Sequence, residues 1–74
     1  MSYEYVKQYY QVPVEVGQRV SMGHQTGVVV KKRSYDQYVH VRFDGVSFDV
    51  PVHPLDLVYY GKDGKELTGW RTSS

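Results

Sequence analysis

Basic and aromatic side chains are concentrated in one short part of the chain, where they have the types needed to hold a phosphorylated ligand. The predicted ligand-binding residues are Lys31, Lys32, Arg33, Tyr35, Tyr38, His40 and Arg42. Tyrosine rings can stack on bases while lysine and arginine contact phosphates, which suits a single strand or a free nucleotide. The alternative is a solvated hairpin edge whose lysines discourage edge-to-edge association. The formal charge of +1 does not favour binding of a long nucleic acid. It weighs less against a free nucleotide, because a free nucleotide has fewer phosphates.

The three histidines, His24, His40 and His53, suggest no catalytic or metal site. His40 is predicted to lie opposite Asp49, where a carboxylate could orient an imidazole as a base. No nucleophile or oxyanion donor accompanies this pair, so an ordinary cross-strand contact is favoured. The histidines and aspartates lack the spacing of metal ligands, and no cysteine is present. We therefore predict a non-enzymatic protein without catalytic residues, metal or cofactor.

The elements that must position these residues are predicted to be mostly strands. The 74 residues include fourteen valines and eight tyrosines but no alanine or isoleucine. β-Branched and aromatic residues suit a pleated sheet, and alanine is the best helix former. The length allows a single domain, and the lack of cysteine excludes a disulfide framework. No apolar run has the length of a membrane span, so we expect a soluble chain with no membrane contact.

Alternation and turn signals divide the chain into short elements. The predicted strands cover residues 18–22, 26–32, 38–43, 46–50 and 57–60, with one tight helical turn at residues 53–56. The N-terminal segment is either an extended arm or a short helix that ends before Pro13. In the helix, Ser2 would be the N-cap. The helical spacing of Tyr5, Val6, Tyr9 and Tyr10 would form one apolar stripe.

Asp44-Gly45 lies between two alternating runs and predicts a two-residue β-hairpin loop of type I′. This loop would place Phe43 opposite Val46, Val41 opposite Phe48, and Val39 opposite Val50, with all six side chains on one face. The other face would pair Arg42 with Ser47, His40 with Asp49, and Tyr38 with Pro51.

Five short strands with a helical turn before the fifth resemble the plan of SH3-like small barrels. Within that group, the segments 16–20 and 26–30, with Gly17 and Gly27, are similar to a KOW-type opening. The resemblance implies a mostly-β, SH3-like five-stranded barrel at residues 16–61. A short N-terminal helix or arm would cover residues 1–15, and a polar C-terminal hairpin or tail would cover residues 62–74.

Residues 1–60 also resemble small proteins of tailed bacteriophages and prophages. The similarity lies in the tyrosine-rich segment 3–10, in Val12-Pro13, in residues 17–20, and in His53-Pro54 followed by a strand that ends in tyrosine. This resemblance implies a phage accessory protein in the cytoplasm of a bacterial host. Such a protein would bind a host protein or a signalling nucleotide, with a possible counter-defence role. The alternatives are a KOW-like nucleic-acid-binding module and a virion structural or assembly component.

Two adjacent tyrosine pairs exceed what so small a core needs. The predicted interface residues are Tyr9, Tyr10, Tyr59 and Tyr60. Tyrosine suits interfaces because its ring is apolar and its hydroxyl is hydrated. One of Tyr59 and Tyr60 must face away from the core, since neighbours on a strand point to opposite faces. Because a domain of this length has a marginal core, we also expect a homo-oligomer.

Overall fold

Antiparallel strands form most of the regular secondary structure in this computed structural model, which describes residues 3–32 and 36–67. Helix α1 comprises Glu4–Tyr10. The strands are β1 (Arg19–Met22), β2 (Gln25–Val29), β3 (Val39–Phe43), β4 (Val50–Val52) and β5 (Val58–Tyr59), and a 3₁₀ turn (Pro54–Asp56) joins the last two. No helix among the described residues is both long enough and apolar enough to span a membrane.

The strands form one antiparallel sheet in the order β4-β3-β2-β1-β5. The predictions of a mostly-β fold and of a tight turn before the last strand are therefore confirmed, and of the two alternatives for the N-terminal segment the structure has the short helix. Alternate strand residues such as Val20, Val29, Val39 and Val41 are buried on one face. The core also includes Tyr3 and Val6 from the N-terminal segment, so α1 packs against the sheet.

The predicted register of the hairpin between β3 and β4 is wrong by two residues. Val39 lies opposite Val52 and Val41 opposite Val50, so residues 44–49 form a longer loop. Because the shift is even, Val50 keeps the predicted side of the sheet and packs partly against the core. Phe48 instead lies in the loop and is 65% exposed.

The physical reason for the shift is the conformation of Asp44. The turn closes with a hydrogen bond from the Val46 amide to the Phe43 carbonyl, and Gly45 has a φ of +83°. Asp44 has no positive φ, whereas a type I′ turn needs one at both central residues. Gly45 is the third residue of the turn, and a positive φ at that position alone is typical of a type II turn. The backbone twist of a type II turn does not match the right-handed twist of the two flanking strands. The strands therefore separate after the turn and pair again at Val50.

Contacts outside the hairpin hold Asp44 in place. Its carboxylate accepts a hydrogen bond of 2.7 Å from the Thr26 hydroxyl and lies 3.2 Å from the Arg19 guanidinium. Its backbone amide donates to the Thr26 carbonyl. The Thr26 hydrogen bond lowers the pKa of the Asp44 carboxyl below its usual value, and Arg19 lowers it further. These partners lie on β1 and β2, so the local Asp-Gly signal does not contain them.

Strands β2 and β3 approach each other closely at Gly27. A Cβ atom at this position would lie 2.7 Å from the Arg42 carbonyl oxygen and 2.9 Å from the Cα of Phe43. Gly27 is paired with Val20 on one side and with Phe43 on the other. Neighbouring backbone on β3 therefore excludes any larger residue here.

The apolar stripe of α1 differs from the predicted one. Val6 is fully buried and Tyr10 is half-buried, whereas Tyr5 and Tyr9 are exposed. The residues that face the sheet are Tyr3, Val6 and Tyr10, which follow the spacing of one helix face. The helix ends at Gln11, which has left-handed backbone angles, before Pro13. The predicted N-cap, Ser2, lies outside the described residues.

Replacing Gly27 by alanine should destabilise the protein by about 1–3 kcal/mol, because the added methyl group overlaps backbone atoms that cannot rotate away. Urea denaturation of the purified chain measures this loss. The exposed Ser47→Ala variant is the control and should change stability by less than about 0.5 kcal/mol. A Gly27→Ala protein as stable as the parent would contradict the close approach of the strands.

The Thr26→Val variant should have a higher pKa at Asp44, because the largest cause of the lowered value is removed. A group whose pKa is lowered by folding stabilises the folded state at neutral pH, and this contribution is lost as the pH falls through the folded pKa. The variant should therefore be less stable at neutral pH, with the difference shrinking in acid. NMR titration of the Asp44 carboxyl carbon measures the pKa. Arg19→Gln should raise this pKa less, and an unchanged value in Thr26→Val would contradict the assignment.

Candidate functional site

Four aromatic side chains from α1 and from the start of the 3₁₀ turn lie side by side. The rings of Tyr5 and Tyr9 are stacked, with centroids 5.6 Å apart and planes at 21°. Tyr9 meets Tyr10 edge-on at 4.8 Å, and Tyr10 meets His53 edge-on at 5.1 Å. We call Tyr5, Tyr9, Tyr10 and His53 the aromatic surface. Edge-to-face and offset contacts of this kind are the favoured arrangements of aromatic pairs.

The aromatic surface is exposed at one end and fixed at the other. Tyr9 is 65% exposed and Tyr5 is 56% exposed, whereas Tyr10 is half-buried. The Tyr10 hydroxyl donates a hydrogen bond of 2.7 Å to the side-chain carbonyl of Gln37, just before β3. Partial desolvation raises the pKa of Tyr10, and the nearby phenol groups of Tyr9, Tyr5 and Tyr38 raise it further.

Tyr3 fixes α1, and with it the aromatic surface, to the sheet. Its ring is buried, and its hydroxyl donates to the Val30 carbonyl at 2.6 Å. The same oxygen accepts a hydrogen bond of 3.2 Å from the backbone amide of His40. Burial raises the pKa of Tyr3, so its hydroxyl keeps the proton that it donates.

The Tyr3 hydroxyl takes the place of one hydrogen bond in the ladder between β2 and β3. Val30 and His40 are opposite each other, and the Val30 amide donates to the His40 carbonyl at 2.9 Å. In a regular antiparallel pair the His40 amide would donate in return to the Val30 carbonyl. Here the hydroxyl lies between these two groups and satisfies both. This insertion explains why β2 ends at Val29, whereas the sequence predicts a strand that continues to Lys32.

Two residues of the predicted ligand site, Lys32 and His40, have partners inside the protein. Lys32 is buried, and its ammonium lies 2.9 Å from the Asp36 carboxylate, 3.2 Å from the Tyr38 carbonyl and 5.4 Å from the centre of the Tyr3 ring. His40 is half-buried, and its Nε2 lies 3.1 Å from the same carboxylate. Asp36 also accepts a hydrogen bond from the Tyr38 amide. Lys32 and His40 therefore help to hold the segment that leads into β3.

Arg42 is exposed, and its Nε donates a hydrogen bond of 2.8 Å to Asp49. The predicted pair of His40 with Asp49 is therefore wrong. His40 contacts Asp36, and it lies opposite Pro51 in the sheet. This correction follows from the shifted register, which carries Asp49 into the loop beside Arg42.

The other predicted ligand residues differ in accessibility. Lys31 is exposed, and Tyr38 is 45% exposed beside the aromatic surface. Arg33 and Tyr35 lie outside the described residues. Among the described residues of the predicted ligand site, Tyr38 is thus the one that presents an exposed ring, and it lies close to Tyr10.

The two predicted tyrosine pairs have different locations. Tyr9 and Tyr10 belong to the aromatic surface, as an interface would require. Tyr59 is fully buried, and its hydroxyl donates to the Pro54 carbonyl at 2.7 Å, so its side chain belongs to the core. Tyr60 is half-buried on the opposite side of the strand, with its hydroxyl 3.1 Å from that of Ser21. The prediction that one of Tyr59 and Tyr60 faces away from the core is confirmed.

The sequence prediction did not include Tyr5 and His53 in a site. The predicted apolar stripe includes Tyr5 and Tyr9, whose spacing of four places their rings on one helix face, and in the structure both rings are exposed. His53 carries no such local signal, because the fold alone brings the 3₁₀ turn against Tyr10. Its Nδ1 accepts the Leu55 amide at the start of that turn.

Chemically, the aromatic surface offers apolar ring faces with hydroxyl and imidazole groups at their edges. Within residues 3–32 and 36–67, no group of three or more histidine, aspartate or glutamate side chains is placed to hold a metal ion. The arrangement is suited to binding through ring contacts and hydrogen bonds.

The chain matches no protein-family model, no curated protein and no solved structure.

Replacing Tyr3 by phenylalanine should destabilise the protein by about 1–3 kcal/mol. The ring still fills its site, but the Val30 carbonyl and the His40 amide lose their partner. Thermal or urea denaturation measures the loss. The matched control is Tyr9→Phe, which removes a hydroxyl from an exposed ring and should change stability by less than about 0.5 kcal/mol. Equal stabilities of the two variants would contradict the bridging role of Tyr3.

Proposed function

We propose that this protein is a binding module that attaches to a host protein through its aromatic surface. The observation that carries this proposal is the pair of stacked tyrosines, Tyr5 and Tyr9, each more than half exposed on an anchored helix. Tyrosine is enriched among the residues that dominate binding energies, and it loses little conformational entropy on binding. The anchoring by Tyr3 and Tyr10 supports a preformed surface, which lowers the entropic cost of association further.

The strand order and the 3₁₀ turn before β5 support an SH3-like fold, with closure of the sheet into a barrel as part of the proposal. The resemblance of residues 1–60 to tailed-phage proteins supports a phage-encoded protein that acts in a bacterial cytoplasm. A host protein is then the partner class, and interference with a host defence protein is the role that we propose.

A protein partner is favoured over a nucleotide or nucleic acid at residues 31–42. Lys32 and His40 share the Asp36 carboxylate, and Arg42 contacts Asp49. A phosphate at these cations would have to compete with carboxylates that are already in contact. The aromatic surface needs no such exchange, because the rings of Tyr5 and Tyr9 are exposed.

The test is affinity capture from bacterial cells with quantitative mass spectrometry, using the tagged full chain and the double variant Tyr5→Ser/Tyr9→Ser. We expect a host protein that the parent chain captures and the double variant loses. The affinity for the purified partner should fall by about 30-fold or more, since truncating interface tyrosines commonly costs about 2 kcal/mol or more.

The matched control is Phe48→Ser, because Phe48 is as exposed as Tyr9 but lies in the loop after β3. This variant should keep the partner. Both variants should retain the thermal stability of the parent chain, since the changed side chains are exposed. Capture that is equal in all three proteins, or that Phe48→Ser loses as well, would refute the proposed surface.

A further inference from the structure

A groove lies at another part of the molecule, between the segment that leads into β1 and the hairpin that follows β5. Its volume is about 510 Å³, and its apolar lining includes Pro13, Val16, Tyr60 and Leu67. Val16 is 58% exposed, so an apolar side chain is presented to solvent on one wall. The volume falls in the range of about 300–1,000 Å³ that is usual for small-molecule sites.

Hydrogen bonds hold the two walls at a fixed separation. The Gln18 side chain connects them, because its amide nitrogen donates to the Tyr60 carbonyl at 3.2 Å and its oxygen accepts from the Glu15 amide at 2.9 Å. In the wall formed by the hairpin after β5, the Leu67 amide donates a hydrogen bond to the Tyr59 carbonyl at 2.7 Å. The Gly61 amide donates to Lys65 within the same hairpin. The groove therefore exists before any ligand binds.

The charges that line the groove favour an anion. Arg19 and Lys62 contribute two positive groups, and Glu15 contributes the one carboxylate. That carboxylate is already paired with Lys7 at 2.9 Å. Arg19 contacts Asp44 through its Nη1 at 3.2 Å, and a guanidinium has further N–H donors that can contact an anion. Lys62 is exposed, and none of the ion pairs between described residues includes it.

We infer that this groove binds a small organic anion with a flat apolar body. The body lies between Val16 and Tyr60, and the phosphate or carboxylate is held by Lys62 and Arg19. A nucleoside monophosphate and an aryl phosphate share this chemistry. The site is separate from the aromatic surface, so it goes beyond the proposed attachment to a host protein.

The experiment is an NMR titration of the ¹⁵N-labelled full chain with adenosine monophosphate and, separately, with phenyl phosphate. We expect saturable shifts of the amide signals of Gly17, Gly61 and Lys62. A response to both ligands supports recognition of a general aryl phosphate, and a response to adenosine monophosphate alone supports a nucleotide site. Adenosine and inorganic phosphate should each bind at least about tenfold more weakly, because each supplies only one of the two contacts.

Matched lysine variants test the assignment. Lys62→Ala should weaken binding by about tenfold, since it removes a charged contact to the anion. Lys65→Ala, an exposed lysine of the same hairpin that does not line the groove, should change the affinity by less than about twofold. The variant Tyr5→Ser/Tyr9→Ser should bind these ligands as the parent does, so failure of the host-protein proposal would leave this result unchanged.

Three results would overturn the inference. The first is that neither phosphate ester shifts the three amide signals. The second is that inorganic phosphate alone binds as tightly as the esters, which would indicate an adventitious ion only. The third is an equal effect of the Lys62→Ala and Lys65→Ala substitutions.

Discussion

The hydroxyl group of Tyr3 is the contact on which the arrangement of this protein depends. It replaces one backbone hydrogen bond between Val30 and His40 and satisfies both groups. An unpaired backbone group in this position would cost free energy, so the strands can separate here only while the tyrosine is present. The backbone of the same residue begins α1, since the Lys7 amide donates to the Tyr3 carbonyl. One residue thus ends the pairing of β2 with β3 and holds the helix against the sheet.

This anchoring explains why a helix of seven residues can present exposed tyrosines. Isolated helices of this length are unstable in water, and tyrosine is a poor helix former. The burial of Tyr3 and Val6 supplies the tertiary contact that the helix needs. Tyr5 and Tyr9 then lie outside the core, so their rings can contact a partner without rearrangement of the core.

Carboxylates decide which positive groups remain accessible. Asp36 engages Lys32 and His40, and Asp49 engages Arg42. The pair between Lys32 and Asp36 is the least exposed of these, and removing Asp36 would leave the buried Lys32 ammonium without its carboxylate partner. In the described part of the predicted ligand site, Lys32, His40 and Arg42 therefore contact carboxylates, whereas Lys31 and Tyr38 are exposed.

Short-range patterns predicted most of the elements but not the details that depend on distant partners. Valine and tyrosine content indicated strands, and His53-Pro54 indicated the tight turn, because these signals act within a few residues. The Asp44-Gly45 turn was assigned the wrong type, since Thr26 and Arg19 hold Asp44 and lie about twenty residues earlier.

The site was predicted less well for the same reason. The interface prediction for Tyr9 and Tyr10 depends on their adjacency in the sequence, whereas the contact of Tyr10 with His53 exists only in the folded chain. The burial of Tyr3 and Tyr59 also could not be distinguished from sequence, because all the tyrosines share the same intrinsic preference for a partly buried position.

Amide hydrogen exchange at His40, followed by NMR in the unmodified protein, tests the central role of Tyr3 most directly. In the structure this amide has the Tyr3 hydroxyl as its acceptor. We expect it to exchange as slowly as the amide of Val29, which donates a hydrogen bond to the Gln18 carbonyl just before β1. Exchange as fast as that of the exposed amides in the loop 44–49 would contradict the anchoring of α1 to the sheet through Tyr3.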